Sequence, residues 1–351
     1  MQTANVHRFC SSLWGVVLAG GEGGGLASLV RTLRGDFLPK QFVNFIGRRS
    51  MLQHTIDRAE KLISRERLLV VVKRAHLKYP EARGQLARRV KNSVIVQPDD
   101  KGTAPAVLLS LLHIYRRDPL ATVAVFPSDH FVLEEDRLVN YLYLATRTVE
   151  RDPSSVVVLG AQPNEPDEEY NYILPGEETD RSRGLGARRV TSFIAEPGPQ
   201  EPRRLVERGA LWNTAIVVFK AFTLFDLAAL VAPSLHAVFE RIGETIGTRR
   251  ERWAVTEAFR QIEPLNFSRG LLEPLSRTTG GLLLTLPVEK VLWSEWQSPH
   301  RVVSVLTKTG YLGRAPGISA RRLLMLWANN KKPRKTRKPI RERGAAILQM
   351  R

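Results

Sequence analysis

The chain has 351 residues, a formal net charge of +18 at pH 7, 43% hydrophobic and 25% charged residues. That balance is near the globular average and excludes a collagen-like rod, a coiled coil and a wholly disordered chain, while the length allows two domains or one large α/β unit with an appendage. A single cysteine, Cys10, excludes an intramolecular disulfide and a thiolate zinc site and suits a reducing compartment.

Residues 1–13 read as an N-terminal extension. Only His7 and Arg8 precede the apolar stretch 13–21, which lacks the layout of a signal peptide and is too short to span a bilayer, so a cytoplasmic protein with no membrane partner is expected. Buried strands are expected at 14–19, 68–72, 94–96, 122–126 and 156–159, each short, rich in valine or leucine, and not alternating. Between them, 51–63, 77–90, 104–115 and 138–149 carry apolar residues at helical spacing. The alternation predicts βαβ units in an α/β fold, a doubly wound, mostly parallel sheet.

After Gly160 the regularity breaks. Residues 164–189 are rich in acid, Pro, Gly and Arg around one expected strand at 170–174, and read as a substrate-binding insertion. Further strands are expected at 190–194 and 214–219, helix over most of 221–262, and a C-terminal helical segment at 307–330. From Lys331 onward nine basic residues face one acid, Glu342, so the tail 331–351 carries +8, has little to bury and is expected to be disordered. The body keeps +10, which favours phosphorylated or polyanionic partners. No aromatic residue lies among the tail's cations to stack bases, so specific nucleic-acid binding is not expected.

The strongest chemical signal is LAGGEGGG at 18–25, five glycines in eight residues directly after the first strand. Unobstructed N–H groups and access to positive φ are what a loop needs to wrap phosphates at a helix start. Two named motifs fail on spacing: G-x-G-x-x-G from Gly21 and G-x-x-x-x-G-K from Gly20 both meet Leu26 where glycine or lysine is required.

PKQF at 39–42, TAPA at 103–106, PSDH at 127–130 and LWN at 211–213 follow in order. Together with the glycine loop they resemble the sugar-phosphate nucleotidyltransferases, which open with LAGG-x-G-x-R-L and a later proline-lysine pair, and among them the mannose-1-phosphate guanylyltransferase branch. The resemblance covers residues 14–306, with a sugar-side portion at 161–306. It implies a Rossmann-like nucleotidyltransferase fold, Mg²⁺ as cofactor, and transfer from GTP or another NTP to a sugar-1-phosphate with release of pyrophosphate. GDP-mannose from GTP and mannose-1-phosphate is the product it favours, and a homo- or hetero-oligomer is compatible with it.

By the same resemblance Lys40 and Arg31 are the catalytic cations facing the phosphates. Leu18, Ala19, Gly20, Gly21 and Gly23 form the nucleotide loop, and Gln97, Thr103 and Ala104 border the base. Thr103 also stands where a cap for the following helix would stand. Tyr170 and Asn213 are expected at sugar hydroxyls. Asp129, past a strand at the carboxyl edge, and Glu295 in WSEWQ are the expected Mg²⁺ ligands, while an Asp in that place otherwise reads as a helix cap, and His130 reads as structural.

Five positions, in four places, depart from the pattern. Gly25 stands where the family has a loop arginine, Ala195 and Glu196 in FIAEP replace a Glu-Lys pair, Glu295 replaces Asp, and Gln297 replaces glycine. Loss of a cation in a phosphoryl-type transition state costs on the order of 10³ to 10⁵ in rate, so the alternative is an inactive or weakened paralogue that binds nucleotide sugar and regulates an active partner. On this reading Gly25→Arg, with Glu196→Lys, is expected to raise turnover.

Overall fold

The computed structural model describes residues 12–278 and 281–311. The expectations for Cys10, most of the extension 1–13, the greater part of 307–330 and the tail 331–351 fall outside them.

The strands are β1 (Leu13–Leu18), β2 (Leu68–Lys73), β3 (Val94–Gln97), β4 (Thr122–Pro127), β5 (His130–Val132), β6 (Val156–Ala161), β7 (Tyr172–Glu178), β8 (Arg188–Ile194), β9 (Leu211–Lys220), β10 (Leu283–Val288) and β11 (Trp293–Glu295). The helices are α1 (Ala27–Arg34), α2 (Met51–Glu60), α3 (Pro80–Leu86), α4 (Thr103–Tyr115), α5 (Glu135–Arg151), α6 (Glu201–Glu207), α7 (Ala221–Val231), α8 (Pro233–Gly243), α9 (Glu251–Gln261), α10 (Glu273–Thr278) and α11 (Pro299–Lys308). Nine strands form one sheet in the order β3-β2-β1-β4-β9-β6-β10-β8-β7, and β5 pairs with β11 in a separate ribbon. The ladders joining β3, β2, β1 and β4 are parallel, as is β6 with β10. Only β8 and β9 run against the others in the sheet.

Burial on both faces explains the unbroken apolar runs. Along β2, Leu68, Val70 and Val72 enter one core, while Leu69 and Val71 enter the other, as alternating side chains must. The first core is completed by α1, α2, α5 and α11, through residues such as Leu29, Leu52, Leu142 and Val302, and the second by α4, α7, α8 and α9, through Leu111, Leu224, Phe239 and Phe259. The result is the doubly wound, three-layer arrangement that the alternation predicts. The sugar-side portion does not build a sheet of its own, because β9 inserts between β4 and β6.

Boundaries move where backbone chemistry overrides periodicity. Helix α2 starts where Ser50 accepts from Gln53 N and the Gln53 side chain accepts from Ser50 N, a reciprocal cap. The helix expected at 77–90 is confined to α3, because Pro80 holds Tyr79 extended at φ −85°, ψ 124° and cannot sit inside a helix. Strands β5 and β11 are three residues long, too short to carry a period. No helix among the described residues is long and apolar enough to cross a membrane.

Phe239 of α8 is fully buried and meets Phe259 of α9 edge-on at 6.4 Å. Phe239→Ala is expected to lower the unfolding free energy by about 3–5 kcal/mol, read as a lower urea midpoint at unchanged slope.

Candidate active site

Because β1, β2, β3 and β4 are parallel, their carboxyl ends share one edge, and the glycine loop, Lys73, Gln97 and Asp129 follow them there. A cavity of about 370 Å³ opens on this edge, and Leu18, Gly20, Gly21, Lys40, Gln97, Thr103, Asp129, Asn213 and Glu295 all line it. A crevice outside the carboxyl ends of the strands is where open α/β sheets bind ligands.

The loop's shape is fixed from outside itself. Gln41, 2% exposed, donates from Nε2 to the carbonyls of Ala19 and Gly21, each at 2.9 Å. Gly23 takes φ +67°, with Lys40 so close that a Cβ would lie 2.9 Å from its backbone nitrogen. The buried ammonium of Lys73 pairs with Glu22 of the loop. Ala19 and Ala104 are buried beneath the cavity rather than on its wall. Thr103 does not cap α4. Gly102 holds the cap position, and Thr103 Oγ1 accepts from Phe267 N at 2.7 Å, tying the helix start to the loop ahead of α10.

The ribbon β5–β11 brings the acids together. Glu295 lies opposite His130 in that ladder, which sets its carboxylate beside Asp129; ligand atoms of Asp129, His130 and Glu295 all lie within 4.8 Å of one another. Lys40 Nζ is 2.7 Å from Asp129 Oδ2 and donates to Trp296 O at 2.8 Å. Burial alone would push the Asp129 carboxyl up, but the Lys40 ammonium, His130 and hydrogen bonds together hold it below its ordinary value. Glu295 moves the other way, to about 7, through desolvation first and the nearby Asp129 charge second. The two carboxyls are thus driven apart, one ionised and one half-protonated near neutrality. His130, 2% exposed, accepts from Trp293 Nε1 at 3.2 Å through Nδ1, stacks edge-on against that ring and is pushed to about 4 by burial. Its place is structural.

On the sugar side, a register shift between β6 and β9 and a left-handed Ala215 (φ +52°) turn the chain so that Asn213 and Ala215 both face the cavity. Asn213 is fixed there by Nδ2 donating to Ser268 Oγ at 3.1 Å and Oδ1 accepting from Ala215 N at 2.9 Å. Tyr170 does not reach the cavity. It is 4% exposed, packed on Trp212 and Trp293 with ring centroids 4.4 and 5.3 Å away. Its neighbours Glu169 and Asn171, in the turn ahead of β7, face the cavity instead. Buried Arg301 holds this segment by ion pairs to Asp167 at 2.9 Å and Glu169 at 3.2 Å, with its guanidinium 3.7 Å from the Tyr170 ring.

Arg31 also stays outside, because α1 points it to solvent, 5.4 Å over the Phe37 ring. The departures prove to be paired in space. A Cβ on Gly25 would overlap the Gln297 carbonyl oxygen, so the position of the missing loop arginine lies against the backbone of residue 297. The expected gain from Gly25→Arg therefore does not hold: the loop after β11 occupies that space. Glu196 is exposed, left-handed at φ +52°, and paired with Arg269 at 2.9 Å, so its charge is answered by a neighbouring cation.

A family model described as nucleotidyl transferase matches residues 14–243. Among curated relatives, the alginate biosynthesis protein AlgA of Pseudomonas syringae pv. tomato is 29% identical over 207 residues, 59% of this chain and 41% of the relative. A mannose-1-phosphate guanylyltransferase of Escherichia coli K12 is 30% identical over 216 residues, 60% of this chain and 43% of the relative. The chain thus spans less than half the length of these relatives. A crystal structure described as mannose-1-phosphate geranyltransferase from Thermus thermophilus shares the fold, with a TM-score of 0.69 at 24% identity over 84% of this chain and 79% of that one.

Gly25→Arg is expected to lower the melting temperature, and adding Gln297→Gly to recover part of the loss, since glycine lets the offending peptide turn away; equal melting temperatures for wild type and Gly25→Arg would refute the contact. Glu295 gives a pH signature in the metal-free protein. Its folded value of about 7 lies above the ordinary 4.5, so between these values the folded state holds the extra proton and Glu295's contribution to stability falls as pH rises. His76 and His130, both pushed to about 4 by burial, act in the opposite sense over about the same range. The stability difference between Glu295→Gln and wild type should therefore grow in the variant's favour from pH 5 to 8, read by denaturant titration at each pH.

Proposed function

Because the chain belongs to the nucleotidyl transferase family, we propose that it transfers a nucleotidyl group from a nucleoside triphosphate to a sugar-1-phosphate, with GTP and mannose-1-phosphate as the favoured pair. The names of its relatives support that pair, and do not favour the inactive paralogue. The observation that carries the reading is the Lys40–Asp129–Glu295 cluster beneath the glycine loop. A phosphate oxygen of the sugar-1-phosphate attacks the α-phosphorus, the bond from that phosphorus to the β-bridging oxygen breaks, and pyrophosphate leaves with the bonding electrons.

Positioning and charge carry such a transfer, since the protein has little covalent work to do. The loop carbonyls of Ala19 and Gly21 are already taken by Gln41, which leaves the loop's N–H groups as its contribution to the phosphates. Lys40, held between Asp129 and Trp296 O, is the cation placed to turn to the triphosphate. The base lies toward Gln97 and Thr103, and the sugar toward Asn213, Asn171 and Glu169. Two carboxylates answered by one lysine form a site short of positive charge, with the oxygen donors that a hard cation takes. Asp129 and Glu295 would hold Mg²⁺, which supplies charge neutralisation at the phosphates. His130 is not counted among these ligands, because Nδ1 accepting from Trp293 leaves the imidazole proton on Nε2, the nitrogen that faces Asp129. The single cysteine accords with a cytoplasmic location.

Incubation with each ribonucleoside triphosphate, Mg²⁺ and mannose- or glucose-1-phosphate is expected to release pyrophosphate only when the sugar phosphate is present. Lys40→Met is expected to slow the reaction by on the order of 10³-fold or more, and Asp129→Asn to remove its metal dependence together with most of its rate. Absence of pyrophosphate with every pair would refute the reading.

A further inference from the structure

A second cavity, of about 500 Å³, lies away from the glycine loop between β3, α4 and α9. Val94, Ile95 and Val96 all line it. Successive strand side chains point to opposite faces, so three in a row can border one cavity only along the free edge of the strand, and β3 is the edge of the sheet.

Four arginines, Arg74, Arg116, Arg117 and Arg252, line this cavity against one acid, Glu251. Glu251 is already engaged, by Gly247 N at 2.6 Å and by His113 Nε2 at 3.4 Å. Among the described residues none of the four arginines has a carboxylate within ion-pair distance. Two are instead fixed by backbone carbonyls, Arg116 on Ile246 O and Arg117 on Asn92 O at 2.9 Å. Gly247, at φ +75°, makes room for Arg116, whose Cζ would lie 2.8 Å from a Cβ there. The floor is apolar: Leu109, Ile246 and Val255 are 1%, 2% and 6% exposed. Like charges gathered in one concavity repel unless an anion joins them, and guanidinium groups that no carboxylate answers are suited to phosphate. The volume falls within the range of small-ligand sites, about 300–1,000 Å³.

We propose that this cavity is a second binding site, for a small organic anion bearing a phosphate or diphosphate on a less polar body. The arginines take the phosphate and the apolar floor takes the body. A ligand held there touches the two elements that end at the first cavity, since β3 closes with Gln97 and α4 opens with Thr103.

Calorimetry with inorganic pyrophosphate tests the anionic half of the site, using the full chain carrying Lys40→Met so that the first cavity is weakened. One binding event is expected to remain. Adding Arg74→Gln and Arg252→Gln, two exposed residues outside the first cavity, is expected to weaken it tenfold or more. Arg203→Gln with Arg208→Gln on and beside α6 removes the same charge elsewhere and is expected to change affinity less than twofold. Arg252→Gln alone serves if the double change impairs folding, which circular dichroism reports. Loss of all pyrophosphate binding with Lys40→Met overturns the site, as does an affinity untouched by the Arg74/Arg252 change or equally weakened by the α6 pair. None of these readouts depends on transferase activity, so the outcome is separate from that of the catalytic reading.

Discussion

The pairing of two three-residue strands, β5 with β11, is the contact on which the candidate site of this molecule depends. Opposing Glu295 to His130 delivers the second carboxylate to the first. The same ribbon delivers Trp296, which is fully buried, stacked on Phe131 and edge-on to Phe45, both centroids at 5.5 Å. Its backbone then serves twice, accepting from Lys40 Nζ and donating to Asp129 O at 3.2 Å. A ribbon this short has too little ladder to stand alone. The aromatic packing of Trp296, Trp293 and Phe131 fixes its register, and the register fixes the chemistry.

Electrostatics follow from that closeness. Asp129 and Glu295 share one lysine, in a place where protein atoms crowd both acids although each keeps some surface in the cavity. Water would have kept both ionised. With it largely displaced, the lysine-bound acid holds its charge and the other gives its charge up near neutrality. A site poised in this way gains from any added cation that answers both carboxylates at once.

Departures from a family pattern read differently once contacts are known. Gly25 lies against the backbone of Gln297, because the loop after β11 closes over the space a side chain at 25 would need. Gln297 also donates to Glu295 Oε1, so the side chain at 297 steadies the longer carboxylate. Glu196 is in turn ion-paired with Arg269. Residues far apart along the chain thus meet in space.

The sequence by itself determined the layers and the edge that carries the candidate site. Apolar runs without alternation mark strands buried on both faces, and a glycine loop directly after β1 and PSDH at the end of β4 put Gly20 and Asp129 on one edge, because the edge is a consequence of parallel strand direction. Lys40, in PKQF between α1 and α2, joins that edge only through its contacts with Asp129 and Trp296. It also supplied Asn213 and Glu295 by motif. What it did not contain is which way a side chain turns outside regular elements. Tyr170 and Asn171 are neighbours in EEYNYI, and the aromatic cluster of Trp212 and Trp293 decided that the tyrosine is core and the asparagine faces the cavity. Arg31 was placed by the rotation of α1 on its core. Gln41, Arg301 and the arginines beside β3 act through partners 20 to more than 130 residues away, and contacts at such separation exist only after the sheet has closed. Local propensity and motif spacing carry information over a few residues. The tertiary packing alone sets which distant groups share a desolvated space, and so which acid is charged, which glycine is obligatory and which arginines gather around one cavity.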